Sequence, residues 1–392
     1  MISNGVVLRE IRHHDAQVLL RGLQGSPLPL GTTPLTSLAT LEHFIAWAHQ
    51  ERAAGRAVCY VLLPKVGSDP VGVLLARRVE RGFVIAEWGM RLAAGCVADR
   101  VVVPAVTAVL DLLFREFSTR RLETRIDASA ASEIGLLERL GGQRECRLHG
   151  STLDLWALNR ERWMEAHPVS AGFWAPDPSP SAVPVAYAPV WTTASAVAAW
   201  RQPLPDLHGS RACVRELVLE DAPSLYEHLS SPAVTRHLPP PPNGVLGFER
   251  FVRWAQDRRS TGTTVCVGIA PDRARAAVGF EQLHPLDHLG ERAEWGFALG
   301  EAFWGGGVFA EAAALLLDYA FDTLGVRRLE ARVGADNARA AGALRKMGAQ
   351  CDGRLGRVES GGGPAGHDEL WSLRPEDWRA ARPRIFGGGP RN

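Results

Sequence analysis

The clearest alternation of apolar and polar positions lies between Ala293 and Gly348. Glu294, Gly296 and Ala298 fall on one side of a short segment, and Trp295, Phe297 and Leu299 fall on the other. That is the period of a strand. Trp304-Gly305-Gly306-Gly307 breaks the pattern, and residues 308–324 turn alanine- and leucine-rich with helical spacing. Gly325 stands where a helix end takes a left-handed glycine. Residues 326–334 read as a second strand, Asp336-Asn337 as a turn, and the residues up to Met347-Gly348 as a short helix.

The same patterning places other elements. Residues 38–52 are helical by period, residues 56–63 and 71–78 are strands about the turn Gly67-Ser68-Asp69-Pro70, and residues 104–117 form a helix with Pro104 near its first turn. Further on, residues 212–219 read as a strand, residues 222–229 and 248–259 as helices, and residues 265–270 and 277–283 as strands. Residues 351–358 and 369–373 should pair across a glycine-rich loop, and residues 378–392 read as a loose tail.

The pattern occurs twice. Val7-Leu8-Arg9-Glu10 with Asp15 is echoed by Val214-Arg215-Glu216 with Asp221, and Ala86-Glu87-Trp88-Gly89 by Ala293-Glu294-Trp295-Gly296. Arg120-Arg121-Leu122-Glu123 returns as Arg327-Arg328-Leu329-Glu330, and Leu155-Trp156 with Trp163 as Leu370-Trp371 with Trp378. Constant order and a near-constant offset predict a duplicated domain. Between the copies, residues 164–211 carry eight prolines, from Pro168 to Pro205, and the aromatics Phe173, Trp174, Tyr187, Trp191 and Trp200. Such a segment excludes long helices yet is too aromatic for free coil. We expect an extended strap against one or both domains, part of it adding an edge strand.

Three glycines between a strand and a helix have a physical use. Without side chains, successive N–H groups can turn inward as an anion nest, aided by the positive end of the following helix. A flexible connection is the plainer reading of such a triplet. No Gly-Lys-Ser/Thr follows, which excludes the nucleotide P-loop, and no second βαβ unit follows.

The order strand with Glu294, then Trp304, Gly305, Gly307, Glu311-Ala312, Tyr319-Ala320-Phe321, Leu324-Gly325, Arg327-Arg328-Leu329-Glu330, Asn337, and Leu344, Lys346, Gly348 resembles the acyl-CoA-binding core of the GNAT N-acetyltransferases. The likeness is to the Rim type, which acetylates protein N-termini, and it covers roughly residues 212–378. It implies an α/β (α+β) architecture of two GNAT-like domains. Each would be a central mixed, mostly antiparallel twisted sheet flanked by helices and splayed at the CoA-binding strand. The expected division is a degenerate domain at 1–163, a linker at 164–211, a catalytic domain at 212–380 and a flexible tail at 381–392.

The resemblance implies roles residue by residue. Gly305, Gly306 and Gly307 with Trp304, Val308 and Phe309 would hold the CoA pyrophosphate. Phe297, Ala298 and Leu299 would bond the pantetheine arm through their backbone, and Asn337 matches the family asparagine on that arm. Asn337 is otherwise a turn or N-cap residue. Glu294 is the candidate general base, through a water, on a face where Gly296 and Ala298 leave room for an acceptor. The plainer reading of Glu294 is a salt bridge with Arg292 or Arg328, and Glu87 in the other copy favours that reading.

Two departures stand out. Phe309 replaces a small residue and must turn away from the pyrophosphate. Ala340 and Ala341 occupy the turn where the family carries a hydroxyl general acid, leaving Tyr319 or His367 as stand-ins. In the first copy Val97-Ala98-Asp99-Arg100 replaces the glycine loop, Pro104 replaces Glu311 and Ala130 replaces Asn337. That copy should bind no CoA and act as a helper or interface domain.

Composition narrows the rest. A chain of 392 residues suggests two or three domains. A formal charge of +1 offers no electrostatic case for nucleic acid or an anionic membrane, and only Lys65 and Lys346 among the 44 basic residues are lysine. The six cysteines form no C-x-x-C pair, and His284 and His288 flank Pro285-Leu286-Asp287, a loop rather than a metal site, so no metal is expected. No apolar run approaches about 18 residues, and the N-terminus lacks an apolar leader core. The expectation is a soluble, cytoplasmic acetyl-CoA-dependent N-acetyltransferase for a primary amine, with the two domains as an intrachain pseudo-dimer and homo-oligomerisation open. The alternative is an acyl-CoA sensor that binds without turnover.

Overall fold

The computed structural model describes residues 2–3, 6–31, 33–79, 84–93, 99–117, 119–167, 199–238, 241–271, 276–356 and 367–386. Residues 358–364 aside, the chain divides into two compact units at Trp191–Thr192. Most of the expected linker, residues 168–198, lies outside the described residues.

The first unit holds β1 (Ile2–Ser3), β2 (Val6–Glu10), β3 (Ala57–Leu63), β4 (Gly72–Arg78), β5 (Ile85–Leu92), β6 (Arg121–Asp127), β7 (Gln143–Arg147) and β8 (Leu153–Asn159), in the sheet order β1-β2-β3-β4-β5-β6-β8-β7. Its helices are α1 (Ala16–Leu23), α2 (Leu38–Ala53), α3 (Asp99–Asp111), α4 (Ala131–Arg139) and α5 (Arg160–Ala166). The second unit holds β9 (Leu207–His208), β10 (Ala212–Glu216), β11 (Val265–Pro271), β12 (Gly279–Pro285), β13 (Arg292–Leu299), β14 (Arg328–Gly334), β15 (Gln350–Gly356) and β16 (His367–Leu373), ordered β9-β10-β11-β12-β13-β14-β16-β15. Its helices are α6 (Ala222–Leu229), α7 (Gly244–Ser260), α8 (Val308–Asp318), α9 (Ala338–Lys346) and α10 (Pro375–Phe386), with a helical turn at Pro232–Thr235.

The two strand orders are the same order. In each, one parallel pair interrupts an antiparallel sheet: β5 with β6, and β13 with β14. Both helices that follow these middle strands end in a π-helical turn, Leu112–Glu116 and Tyr319–Thr323. A buried tryptophan donates to an aspartate on each helix, Trp163 Nε1 to Asp111 Oδ1 at 2.8 Å and Trp378 Nε1 to Asp318 Oδ1 at 2.9 Å.

Each sheet is covered on both sides, so its central strands are buried on both faces. In the second unit one core joins Val265, Val267, Leu283, Trp295, Leu329 and Trp371 to α8 and α9. The opposite core joins Cys266, Ala298 and Phe280 to α6 and α7. The end of the strap belongs here too: Trp200 is buried, its carbonyl accepts from Arg259, and β9 adds an edge strand to β10.

Three expectations are corrected. Helix α3 begins at Asp99, with Pro104 inside it, because burying Val102 and Val106 on the core outweighs the lost N–H. His284 is a residue of β12, not of a loop. The C-terminal segment is no loose tail as far as Phe386. Helix α10 is anchored by buried Trp378 and by Arg382, whose Nη2 and Nε reach Asp318 Oδ2 at 2.7 and 2.9 Å.

Candidate active site

The glycine loop joins β13 to α8. Gly305 and Gly307 have φ of 79° and 85°, the left-handed region that a side chain resists, and Gly307 is the residue that caps α8. Gly306 has an ordinary φ and open space around it. Trp304 ties the loop down, its Nε1 donating to the Leu299 carbonyl at 2.9 Å. The Arg339 guanidinium, from the first turn of α9, lies 3.8 Å above the Trp304 ring. Phe309 does turn away from the loop. It packs inward with ring centroids 4.7 Å from Phe297 and 6.4 Å from Trp295, the latter at 11°.

A residue missed in the sequence completes the loop. Arg211 is exposed at the start of β10, and a Cβ on Gly307 would stand 2.5 Å from its Nη1. The position follows from Glu311 in the first turn of α8. Its carboxylate accepts from Ser210 Oγ at 2.8 Å, from the Arg211 N–H, and from the Ala212 N–H at 2.9 Å. Burial alone would raise the Glu311 pKa, but these donors, the Arg211 N–H foremost, hold it below the ordinary value. Glu311 thus acts as a clamp. Among the described residues neither Arg211 nor Arg339 pairs with a carboxylate, so two guanidinium groups flank the loop with anion-binding capacity unspent.

Strands β13 and β14 pair in register only from Arg292↔Arg328 to Glu294↔Glu330. Beyond Glu294 the pairing on that side stops, while β12 pairs β13 through Leu299. The β14-side edge of Phe297 and Ala298 is therefore open to an extended ligand, as an added strand would need. At Leu299 the carbonyl is already taken by Trp304. Trp295, Leu329, Ala331, Leu344, Ala349 and Trp371 pack in the buried core on the α9 side of the sheet.

Glu294 is half-buried, directly across from His284 on β12 and from Glu330 on β14. Thr264 Oγ1 lies 2.9 Å from His284 Nδ1, and the Trp254 ring of α7 lies 6.5 Å from the His284 ring. The room expected beside Gly296 is partly filled, since a Cβ there would meet Gln282 Nε2 at 3.1 Å. The sequence did not single out Gln282 or Trp254, and it pointed to His284 only through its spacing from His288. Strand period alone puts Gln282 and His284 on the Glu294 side once the register is known.

Asn337 caps α9, accepting from the Ala340 N–H at 3.1 Å. Tyr319 lies at the opposite end of α8 from the glycine loop, about 16 Å away by helix rise, and its buried hydroxyl faces Arg259 Nη2 at 3.4 Å. His367 is exposed at the start of β16, and its carbonyl accepts from Ala335 beside the Asn337 turn. His237 Nδ1 lies 3.8 Å from Asp336 Oδ1 at the same turn.

In the first unit the strands also part after Glu87↔Glu123. There Glu87 is buried and ion-paired with Arg125, and the matching position of the second unit is Arg332. Ala130 stands at the start of α4 without a side-chain cap. Residues 94–98 lie outside the described residues, as do the side chains of Asp99 and Arg100. Among the described residues no group of His, Cys, Asp and Glu is arranged to hold a metal ion, and no helix is long and apolar enough to cross a membrane.

Residues 211–350 match the family model of the acetyltransferase (GNAT) domain. An uncharacterized N-acetyltransferase p20 of Bacillus licheniformis is 29% identical over 158 residues, which span 40% of this chain and 89% of that protein. Among solved structures, a GCN5-related N-acetyltransferase from Brucella melitensis is similar at 18% identity and a TM-score of 0.42, covering 48% of this chain and 86% of that one. A ribosomal-protein-S5-alanine acetyltransferase from Vibrio fischeri is similar at 14% identity and a TM-score of 0.40, covering 45% and 99%. The C-terminal half of the chain thus carries a GNAT N-acetyltransferase domain, an acyltransferase.

Proposed function

We propose that residues 212–380 move an acetyl group from acetyl-CoA directly to a primary amine, a protein N-terminal α-amino group or a small-molecule amine, and that residues 1–163 are a copy without a CoA site. The observation that carries this reading is the loop with its two flanking guanidinium groups. The turned glycines offer backbone N–H groups, α8 adds its positive end, and Arg211 and Arg339 supply the charge that a pyrophosphate needs.

The reaction needs an amine with a free lone pair, a polarised carbonyl and a stabilised leaving thiolate. Glu294 accepts the ammonium proton through a water, since it lies where β13 and β14 part. The free β13 amides donate to the thioester oxygen as it gains charge. Asn337 bonds the pantetheine arm through the side of its amide that does not cap α9. With Ala340 and Ala341 in the turn, His367 and His237, which lie beside the Asn337 turn, are the candidates to protonate the thiolate.

The buried Glu87–Arg125 pair favours a second reading, in which Glu294 is structural and the domain senses acyl-CoA without turnover. Calorimetric titration with acetyl-CoA, followed by free-thiol release with a panel of amines, separates the two. One site per chain and thiol release on some amine is the expected result. Binding without release on any amine would move the protein to the sensor class, and absence of binding would sink both.

A further inference from the structure

Among the buried acids that the reaction scheme does not use, one stands in the middle of the second sheet. Glu281 lies in the middle of β12, across from Val267 on β11 and Phe297 on β13, and it is wholly buried. Its Oε1 accepts from Trp295 Nε1 at 3.2 Å, and its Oε2 has no partner. Burial raises its pKa to about 8, against the pull of the Trp295 bond.

The first unit provides an internal control. Leu74 takes the matching place on β4, across from Met90, and Trp88 Nε1 is buried without a partner. The sheet therefore forms with the indole unbonded and a leucine beside it. A buried carboxyl with an orphan oxygen is the costlier choice, so the fold alone does not account for it. What differs is the surroundings of the tryptophan. Trp295 stacks on Phe309 in the first turn of α8 and packs against Phe297, whereas the first unit has Val102 and Met90 there. Trp295 is itself buried, one residue past the last β13–β14 pair at Glu294.

We propose that Glu281 is a positioning residue for the acyl donor, holding the Trp295 indole so that the Trp295–Phe309 stack sets the first turn of α8 behind the glycine loop. The inference rests on the acetyl-CoA reading of that site. It assigns the neutral carboxyl as the working form, because an ionised one, served by a single donor, would force β12 and Trp295 to rearrange. The groups around Glu281 leave it isolated. The inward residues of β11 are Val265, Val267 and Ile269, and those of β13 are Trp295, Phe297 and Leu299. The acids of α8, Glu311 and Asp318, are bonded elsewhere.

The test is the acetyl-CoA dissociation constant between about pH 6 and 9.5 for the wild type, Glu281→Gln and Glu281→Leu. Wild-type affinity should fall several-fold as pH passes about 8. Glu281→Gln keeps an acceptor for the indole and cannot ionise, so its affinity should stay level, and the difference between the two removes any titration of the ligand. Glu281→Leu should bind about tenfold more weakly at every pH, the size of effect typical for a supporting group. Its folding is checked by melting. The folded pKa of Glu281 lies above its unfolded value of 4.5, so the wild type should lose stability as pH rises from there to about 8, and the leucine variant should lack that slope. A leucine variant that binds as tightly as the wild type at every pH would overturn the positioning role alone. A wild type that binds no acetyl-CoA would overturn the role and the proposed function together.

Discussion

The three glycines of the loop divide its labour. Gly305 and Gly307 are required by backbone shape, whereas Gly306 is free to carry a side chain. Gly306→Asp should therefore fold unchanged yet place a carboxylate where the pyrophosphate would sit. We expect the acetyl-CoA dissociation constant to rise at least about tenfold, from a few kcal/mol of repulsion at intermediate dielectric, with no change in Tm. Unaltered affinity would remove the loop from the donor site. Glu294→Gln should lower kcat about 100-fold or more with the acetyl-CoA KM little changed, since a general base contributes on that order. Wild-type turnover would leave Glu294 as the partner in an ion pair, the role Glu87 has with Arg125.

At the element scale, the junction of α8 with β10 is a clamp rather than a catalytic feature. Glu311 satisfies donors at Ser210, Arg211 and Ala212, and in doing so sets the turn that carries Arg211 to Gly307. Glu311→Ala should lower stability by about 2 kcal/mol, because buried N–H groups are left unpaired, and should also weaken acetyl-CoA binding by displacing Arg211. The pH dependence has a definite sign. The folded carboxylate titrates below its unfolded value of 4.5, so its contribution is present above that pH and lost as pH falls through the folded value. A Glu311→Ala variant with wild-type melting at pH 7 would show that the clamp carries no weight.

At the scale of the whole molecule, one strand order is used twice with different local chemistry. Both units part their middle strands after a paired glutamate, and both hold a tryptophan on an aspartate of the adjoining helix. The second alone has the glycine loop, the Glu311 clamp and the Glu281–Trp295–Phe309 column. One acetyl-CoA per chain is therefore the expected stoichiometry. Two equivalent sites by calorimetry would show that the first unit binds as well and that the missing glycines do not matter.

Local period and glycine's backbone freedom were enough to show the repeat, most elements of the second unit and the loop that α8 follows, whereas in the first unit they showed little beyond α2, β3, β4 and α3. The sequence also placed Phe309 inward, since a large side chain has nowhere else to go beside an anion site. What lies across a strand pair, or between elements far apart in the chain, is set by pairing and packing that no local signal carries. Register put His284 and Gln282 beside Glu294 and Glu281 beneath Trp295, and a turn about a hundred residues upstream brought Arg211 to Gly307. The same holds for the last helix. Trp378 and Arg382 meet Asp318 only after the fold has closed, and that contact, not local propensity, orders residues 381–386.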